Sequence, residues 1–202
     1  LRVRDRTEVK IIDETVYGDL IFNDVTEDDW FYDAVMFTAE RGLLNGTGHS
    51  IFEPDATLTR AMVATVLYRM AGQPKATSTA SFTDVEANQW YTEAVEWAVE
   101  EGIVLGYEDN TFRPHNNITR QEMAVMLARY AQNVCAIEME DEGTLNAFAD
   151  GSAVADWAHD AVVWFVNVGI INGMDNNIAP NNNATRAQFA TIIMRFIQTY
   201  DL

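Results

Sequence analysis

The stretch "ATLTRAMVATVLYRM" (residues 56–70) reads as a helix whose first turn carries an arginine, Arg60. A cation there sits against the positive end of the helix dipole, at a cost of a few tenths to about 1 kcal/mol. The same arrangement returns in "NNITRQEMAVMLARY" (116–130) with Arg120 and in "NNATRAQFATIIMRF" (182–196) with Arg186. An unfavourable feature that recurs three times marks an internal repeat, and it asks for a reason other than helix formation.

Working outward from these three sites, other columns align. Phe22, Phe82 and Phe148 open the copies, followed by Trp30, Trp90 and Trp157 and then Gly42, Gly102 and Gly169. Pro54, Pro114 and Pro180 come next, and Thr59, Thr119 and Thr185 lead into the final segment. The first two copies are offset by 60 residues and the second and third by 66 or 67, with the extra residues mainly in "IEMEDEGTLNA" (137–147). The repeats are assigned to residues 21–76, 77–136 and 137–202. Residues 1–20 alternate apolar and charged positions and are expected to form an N-terminal arm or the end of a preceding domain. The stretch 73–81, "QPKATSTAS", reads as a linker.

Each copy reads as helix, loop, helix. "DDWFYDAVMFTAERG" (28–42) offers an Asp to cap a helix before Trp30 and a glycine to stop it at Gly42. The loop "LLNGTGHSIFEPDAT" (43–57) has the turn chemistry of Asn-Gly and is expected to hold at most a short extended piece. The second helix starts at each "TR" and runs about 13 residues by its helical spacing of apolar positions. A unit of this size buries little by itself, so the three copies must pack together.

The chain has 202 residues, 48% of them hydrophobic, and one cysteine, Cys135. A lone cysteine excludes an internal disulfide framework and CxxC metal clusters, and no motif calls for a cofactor. No apolar run approaches a membrane span, so membrane insertion is not expected. The chain begins at Leu1 without a signal-peptide pattern and is expected to be a processed chain or an excised fragment. A net charge of −18 argues against nucleic-acid binding, which needs a basic face. Outside the first 20 residues there are nine basic residues against 26 acidic ones. Six of those nine fall in two columns.

Arg69, Arg129 and Arg195 form the second column, placed in the last turns of the second helices where cations suit the dipole. The first column, Arg60, Arg120 and Arg186, needs another account. Thr59, Thr119 and Thr185 are placed as N-caps, and Glu122 and Gln188 complete capping boxes that Met62 breaks in the first copy. Two partners fit the arginines: a carboxylate of a neighbouring repeat, or an external anion at a helix N-terminus. The external anion is the preferred reading, with Arg60 the weakest of the three. Trp30, Trp90 and Trp157 are either core or flat platforms for sugar rings, whereas Trp97 and Trp164 read as core.

The joint pattern F-x-D…W…A-V…G-[IL]-[LIV]-x-G…F-x-P…[LI]-T-R-x-E resembles the S-layer homology domain family over residues 21–200 in three copies. Its arginine motif stands here as "LTRAM" (58–62), "ITRQE" (118–122) and "ATRAQ" (184–188). Its turn motif stands as "GLLNG" (42–46), "GIVLG" (102–106) and "GIING" (169–173). The resemblance implies a mainly α fold, three helix–loop–helix repeats in a pseudo-threefold prism around a central three-helix bundle. It further implies an extracellular module at a bacterial cell surface, wall or S-layer, which holds secondary cell-wall polysaccharide, often pyruvylated, in inter-repeat grooves. Arg60, Arg120 and Arg186 would then bind the pyruvyl carboxylate, and Trp30, Trp90 and Trp157 would line the sugar. Asn45, Gly46, Asn172 and Gly173 would offer turn donors, with Gly106, Glu122 and Gln188 completing the grooves.

This chain departs from the pattern at three places. Leu105 replaces the turn Asn in copy two, Met62 the motif Glu in copy one, and "NIAP" (177–180) has Ala179 in place of the Phe-x-Pro filler. One or two competent grooves are therefore expected. A rival reading has the same grooves taking acidic protein segments, as a protein–protein or S-layer self-assembly module. Enzymatic activity is not expected, because His49, His115 and His159 occupy unrelated repeat positions with no Ser or Cys partner pattern.

Overall fold

Each "TR" pair opens a helix with the arginine as its first residue. A computed structural model describes residues 22–77, 82–139 and 143–202; the expected arm at 1–20 lies outside the described residues. Six α-helices are described: α1 (Tyr32–Glu40), α2 (Arg60–Met70), α3 (Thr92–Glu100), α4 (Arg120–Asn133), α5 (Asp156–Asn167) and α6 (Arg186–Tyr200). Among the described residues there is no strand, only isolated β-bridges, so the fold is mainly α. Thr119 and Thr185 make full capping boxes with Glu122 and Gln188. Thr59 still accepts the Met62 N–H at 3.3 Å, without the reciprocal bond.

The first helices end as their glycines require. Gly42, at φ +65°, donates to the Ala39 carbonyl, and Leu43 donates back to Thr38, both at 2.9 Å. This pair of bonds is a Schellman motif, which needs a left-handed residue at that point. Their starts differ from expectation. Helix α1 has Phe31 at its cap with no side-chain bond. Asp29 instead accepts the Thr26 N–H at 2.7 Å and the Thr26 hydroxyl at 3.0 Å, closing the turn that leads into the helix.

The second arginine column ties each second helix to the end of the first helix in its own copy. The Nη1 atoms of Arg69, Arg129 and Arg195 donate to the carbonyls of Leu43, Ile103 and Ile170 at 3.0, 3.3 and 3.3 Å. The last-turn expectation holds for Arg69 alone. Helices α4 and α6 run 14 and 15 residues against 11 for α2, which leaves the column further inside them.

An aspartate column shapes the loop. Asp24 accepts the N–H groups of Phe52 and Glu53 at 2.8 and 2.7 Å. Asp84 takes those of Phe112 and Arg113, also at 2.8 and 2.7 Å. Asp150 takes those of Ile178 and Ala179 at 2.7 and 2.8 Å. The second residue of each pair has positive φ: 59° at Glu53, 61° at Arg113 and 51° at Ala179. Two charge-assisted bonds from one carboxylate offset the cost of that conformation. The alignment is corrected here. Ile178, not Ala179, fills the Phe52 and Phe112 position, and like them it is buried.

Repeats interlock in a cycle. Helix α3 packs on α2, α5 on α4, and α1 on α6, so each first helix rests on the second helix of the preceding copy. Helix α2 also packs on α4, and the rings of Tyr130 and Phe196 join α4 to α6 at 6.1 Å. Just before the second helices, Leu58 donates to Ala184, Ala184 to Ile118, and Ile118 to Leu58, at 2.9, 3.0 and 2.9 Å. These three bonds close a ring through all three copies. Trp97, Trp164, Phe165 and Phe196 fill the interior as fully buried side chains, each worth about 1.5–3 kcal/mol of transfer from water.

Candidate functional site: grooves between the repeats

All three arginines of the first column are buried, and each reaches into the next copy around the cycle. The Nε of Arg60 donates to the Phe112 carbonyl at 2.8 Å, that of Arg120 to Ile178 at 2.8 Å, and that of Arg186 to Phe52 at 2.7 Å. These acceptors are the residues whose N–H groups the aspartate column holds. A relay of carboxylate, peptide and guanidinium thus spans every repeat junction. The arginines tolerate the helix N-terminus because half of each guanidinium is committed to stapling the copies together.

The other half of each guanidinium meets a different neighbour. Arg60 Nη1 faces Glu122 Oε1 at 3.3 Å, an ion pair across copies one and two, and the Arg60 guanidinium lies 4.8 Å from the Tyr107 ring centroid. Tyr107 also donates its hydroxyl to Glu122 Oε1 at 2.9 Å. Burial pushes the Glu122 carboxyl upward, but bonds from the Thr119 N–H and hydroxyl and from Tyr107, with the Arg60 charge, prevail and hold it below its ordinary value. Arg120 Nη1 faces a neutral amide, Gln188 Oε1, at 3.2 Å. Arg186 Nη2 donates to the Asn45 carbonyl at 2.6 Å. Burial lowers the pKa of Arg120 and Arg186, and nearby carboxylates raise it again: Asp150 for the former, Glu53 and Asp24 for the latter. An arginine guanidinium keeps its charge in proteins.

The Arg120 junction opens into a groove of about 340 Å³, lined by Trp30 from copy one, Arg120 from copy two, and Asn172, Gly173, Met174 and Gln188 from copy three. Arg195 and a floor of Ile170, Ile171 and Ile192 complete it. Asn172, with its amide oriented to suit both neighbours, donates to the Gly169 carbonyl at 3.0 Å and accepts from Arg195 Nη1 at 3.3 Å. The structure therefore brings five sequence-selected residues, Trp30, Arg120, Asn172, Gly173 and Gln188, into one concave, partly apolar space. A flat apolar wall with a few fixed polar groups is the usual make-up of a ligand site.

Trp30, Trp90 and Trp157 are 67, 58 and 60% exposed, against 2% for Trp97 and 1% for Trp164. Trp30 and Trp90 are held edge-on by Phe31 and Tyr91 at 5.2 Å between ring centroids. Trp90, Trp157, Asn45, Gly46 and Gly106 do not line the Arg120 groove. The turn glycines have a packing role. At Gly173 (φ +72°) an added Cβ would lie 2.6 Å from Phe148 Cε1 and 2.7 Å from the Asn177 carbonyl oxygen. Gly46 and Gly106 face Phe22 and Phe82 in the same way. Sequence reasoning missed the roles of Asp24, Asp84 and Asp150 and of Tyr107. The aspartates show the same 60- and 66-residue offsets as the phenylalanines, which was the available signal.

Among the described residues no helix is long and apolar enough to cross a membrane, and no group of three His, Cys, Asp or Glu side chains is placed to hold a metal ion. The sequence profile of the "S-layer homology domain" family matches residues 21–62, 81–124 and 147–190. The chain is 34% identical over 181 residues to an amylopullulanase of Thermoanaerobacterium thermosulfurigenes, covering 89% of this chain and 10% of that protein. It is 35% identical over 173 residues to a surface-layer 125 kDa protein of Lysinibacillus sphaericus, covering 84% of this chain and 14% of that one. An exoglucanase of Acetivibrio thermocellus is 32% identical over 178 residues, 88% of this chain and 16% of the enzyme. The chain thus spans a tenth to a sixth of the length of these relatives. Surface-layer proteins and large polysaccharide-processing enzymes share this segment, which indicates a wall-associated place at the cell surface.

Proposed function

This chain belongs to the S-layer homology domain family, and from that premise we propose that it anchors a surface protein non-covalently by gripping pyruvylated cell-wall polysaccharide in the Arg120 groove. One observation carries this reading. Residues from all three copies converge on one groove, where a buried guanidinium faces a neutral amide beside an exposed indole. The Arg120 guanidinium and the Asn172–Gly173 turn are suited to a carboxylate, and Trp30 to the apolar face of the sugar that bears it. Ketal-linked pyruvate supplies such a carboxylate on a neutral ring. Catalysis is not part of this reading.

Binding to purified wall polymer, stripped of protein, tests the proposal. The chain should bind the intact polymer and lose that binding after mild acid removes the pyruvate. Undiminished binding to the depyruvylated polymer would refute the carboxylate grip. Binding only to walls that retain their proteins would favour an acidic protein segment as the occupant.

A further inference from the structure

Both arginine columns meet in one groove. Arg120 of the first column and Arg195 of the second line the same space of about 340 Å³, and none of the residues lining it is acidic. That is unexpected in a chain with 31 acidic residues against 13 basic ones. The ion pairs among the described residues involve Arg60, Arg113 and His159, not Arg195. At the neighbouring junction the equivalent pair is close enough for one charge to feel the other: burial first, and then the Arg60 charge, lower the pKa of Arg129. Like charges that share a partly apolar groove repel each other until an anion compensates them.

The way Arg195 is held shows which edge of it is on offer. Among the described residues its hydrogen bonds fall on Nη1, which donates to the Ile170 carbonyl and to the Asn172 amide oxygen, each at 3.3 Å. The Nε and Nη2 edge remains, and two parallel N–H groups of a guanidinium grip a carboxylate bidentately. Along α6, Thr191, Ile192 and Arg195 follow Gln188 by three, four and seven residues, so the four share one helix face. That face runs for about 10 Å. Gln188 meets the Arg120 guanidinium at 3.2 Å at one end, Arg195 stands at the other, and Ile192 lies between them.

We propose that Arg195 is a second anion subsite of this groove, and that the polysaccharide segment held here carries two acidic groups on adjacent sugars. The ketal carboxylate meets Arg120, and a hexuronic carboxylate on the neighbouring sugar meets the free edge of Arg195. The inference rests on the anion-binding reading of the Arg120 groove. It gives a ligand role to a column whose place near the helix end looks purely structural in the sequence.

The test is calorimetric titration with three probes: a methyl hexopyranoside carrying a ketal-linked pyruvate, its disaccharide with a hexuronic acid as the neighbouring sugar, and the methyl ester of that uronic acid. The diacid should bind wild type about tenfold or more tighter than its ester, as a charge-assisted bidentate contact implies. Added salt should shrink that gain. The gain should vanish in Arg195→Gln and survive in part in Arg195→Lys, which keeps the charge without the fork; thermal melts establish that both variants fold. Equal binding of diacid and ester by wild type, with the pyruvylated hexopyranoside still bound, overturns the second subsite and leaves the carboxylate grip standing. A gain that is insensitive to salt, or that persists in Arg195→Gln, overturns the assignment to Arg195. Uptake of none of the three probes overturns the grip and the subsite together.

Discussion

Arg186 Nε donates to the carbonyl of Phe52, 134 residues earlier in the chain, at 2.7 Å. That bond joins the third copy to the first and closes a cycle that Arg60 and Arg120 carry through the other two junctions. The arginines at helix starts therefore have a structural task, whatever the outer part of each guanidinium goes on to hold.

Removing one staple should open its junction. Arg186→Ala leaves the buried Phe52 carbonyl without this partner and also loses the bond to Asn45, so urea unfolding should show a loss of roughly 2–4 kcal/mol. Arg186→Lys should recover only part of it, because an ammonium cannot reproduce the fork. A loss below about 0.5 kcal/mol, the range of an ordinary surface substitution, would show that the cycle is not held by these bonds.

The aspartate column should be as sensitive. Asp150→Ala leaves the N–H groups of Ile178 and Ala179 without their acceptor and removes support from a positive-φ residue. The expected cost is about 2–4 kcal/mol. Because Ile178 also receives Arg120, the variant should loosen the Arg120 groove as well, seen as weaker probe binding at temperatures well below its melting point.

How much of this could be read in advance differs by element. The starts of the second helices, the capping boxes at Thr119 and Thr185, and the glycine stops follow from local rules, and the structure shows them where the residues put them. Trp97 and Trp164 declared themselves as core by helical spacing. The Nε partners of the arginines could not be read, because Phe52, Phe112 and Ile178 lie in other copies and offer only backbone. Periodicity is silent on backbone acceptors across repeats. The Asp capping role failed for a related reason: Asp29 is used by Thr26, three residues earlier, where a turn competes with the helix for the same oxygen.

Gly173→Ala should be destabilising by about 2–4 kcal/mol, combining overpacking with a side chain at positive φ. Its methyl would meet Phe148 and the Asn177 carbonyl. A neutral result in thermal melts would mean that the turn relaxes without disturbing Phe148.

Acid should act in part through Glu122. Its folded-state pKa lies below the ordinary value of 4.5, so the stability it contributes is fully present above about pH 4.5 and is lost as pH falls through the lowered folded value. Glu122→Gln should flatten the dependence of melting temperature on pH below that point. Identical slopes for the two proteins would show that Glu122 gains nothing from Arg60, Thr119 and Tyr107 on folding.

The most direct measurement of the central claim is calorimetric titration of the pyruvylated hexopyranoside into Trp30→Ala beside Trp157→Ala. These side chains are mostly exposed, so their loss separates binding from folding in a way that loss of Arg120 does not. Affinity should fall about fivefold or more in Trp30→Ala, in line with the loss of an aromatic contact of about 1 kcal/mol or greater, and stay near the wild-type value in Trp157→Ala. Unchanged affinity in Trp30→Ala, with the loss falling on Trp157→Ala, would place the ligand outside the Arg120 groove and contradict the account.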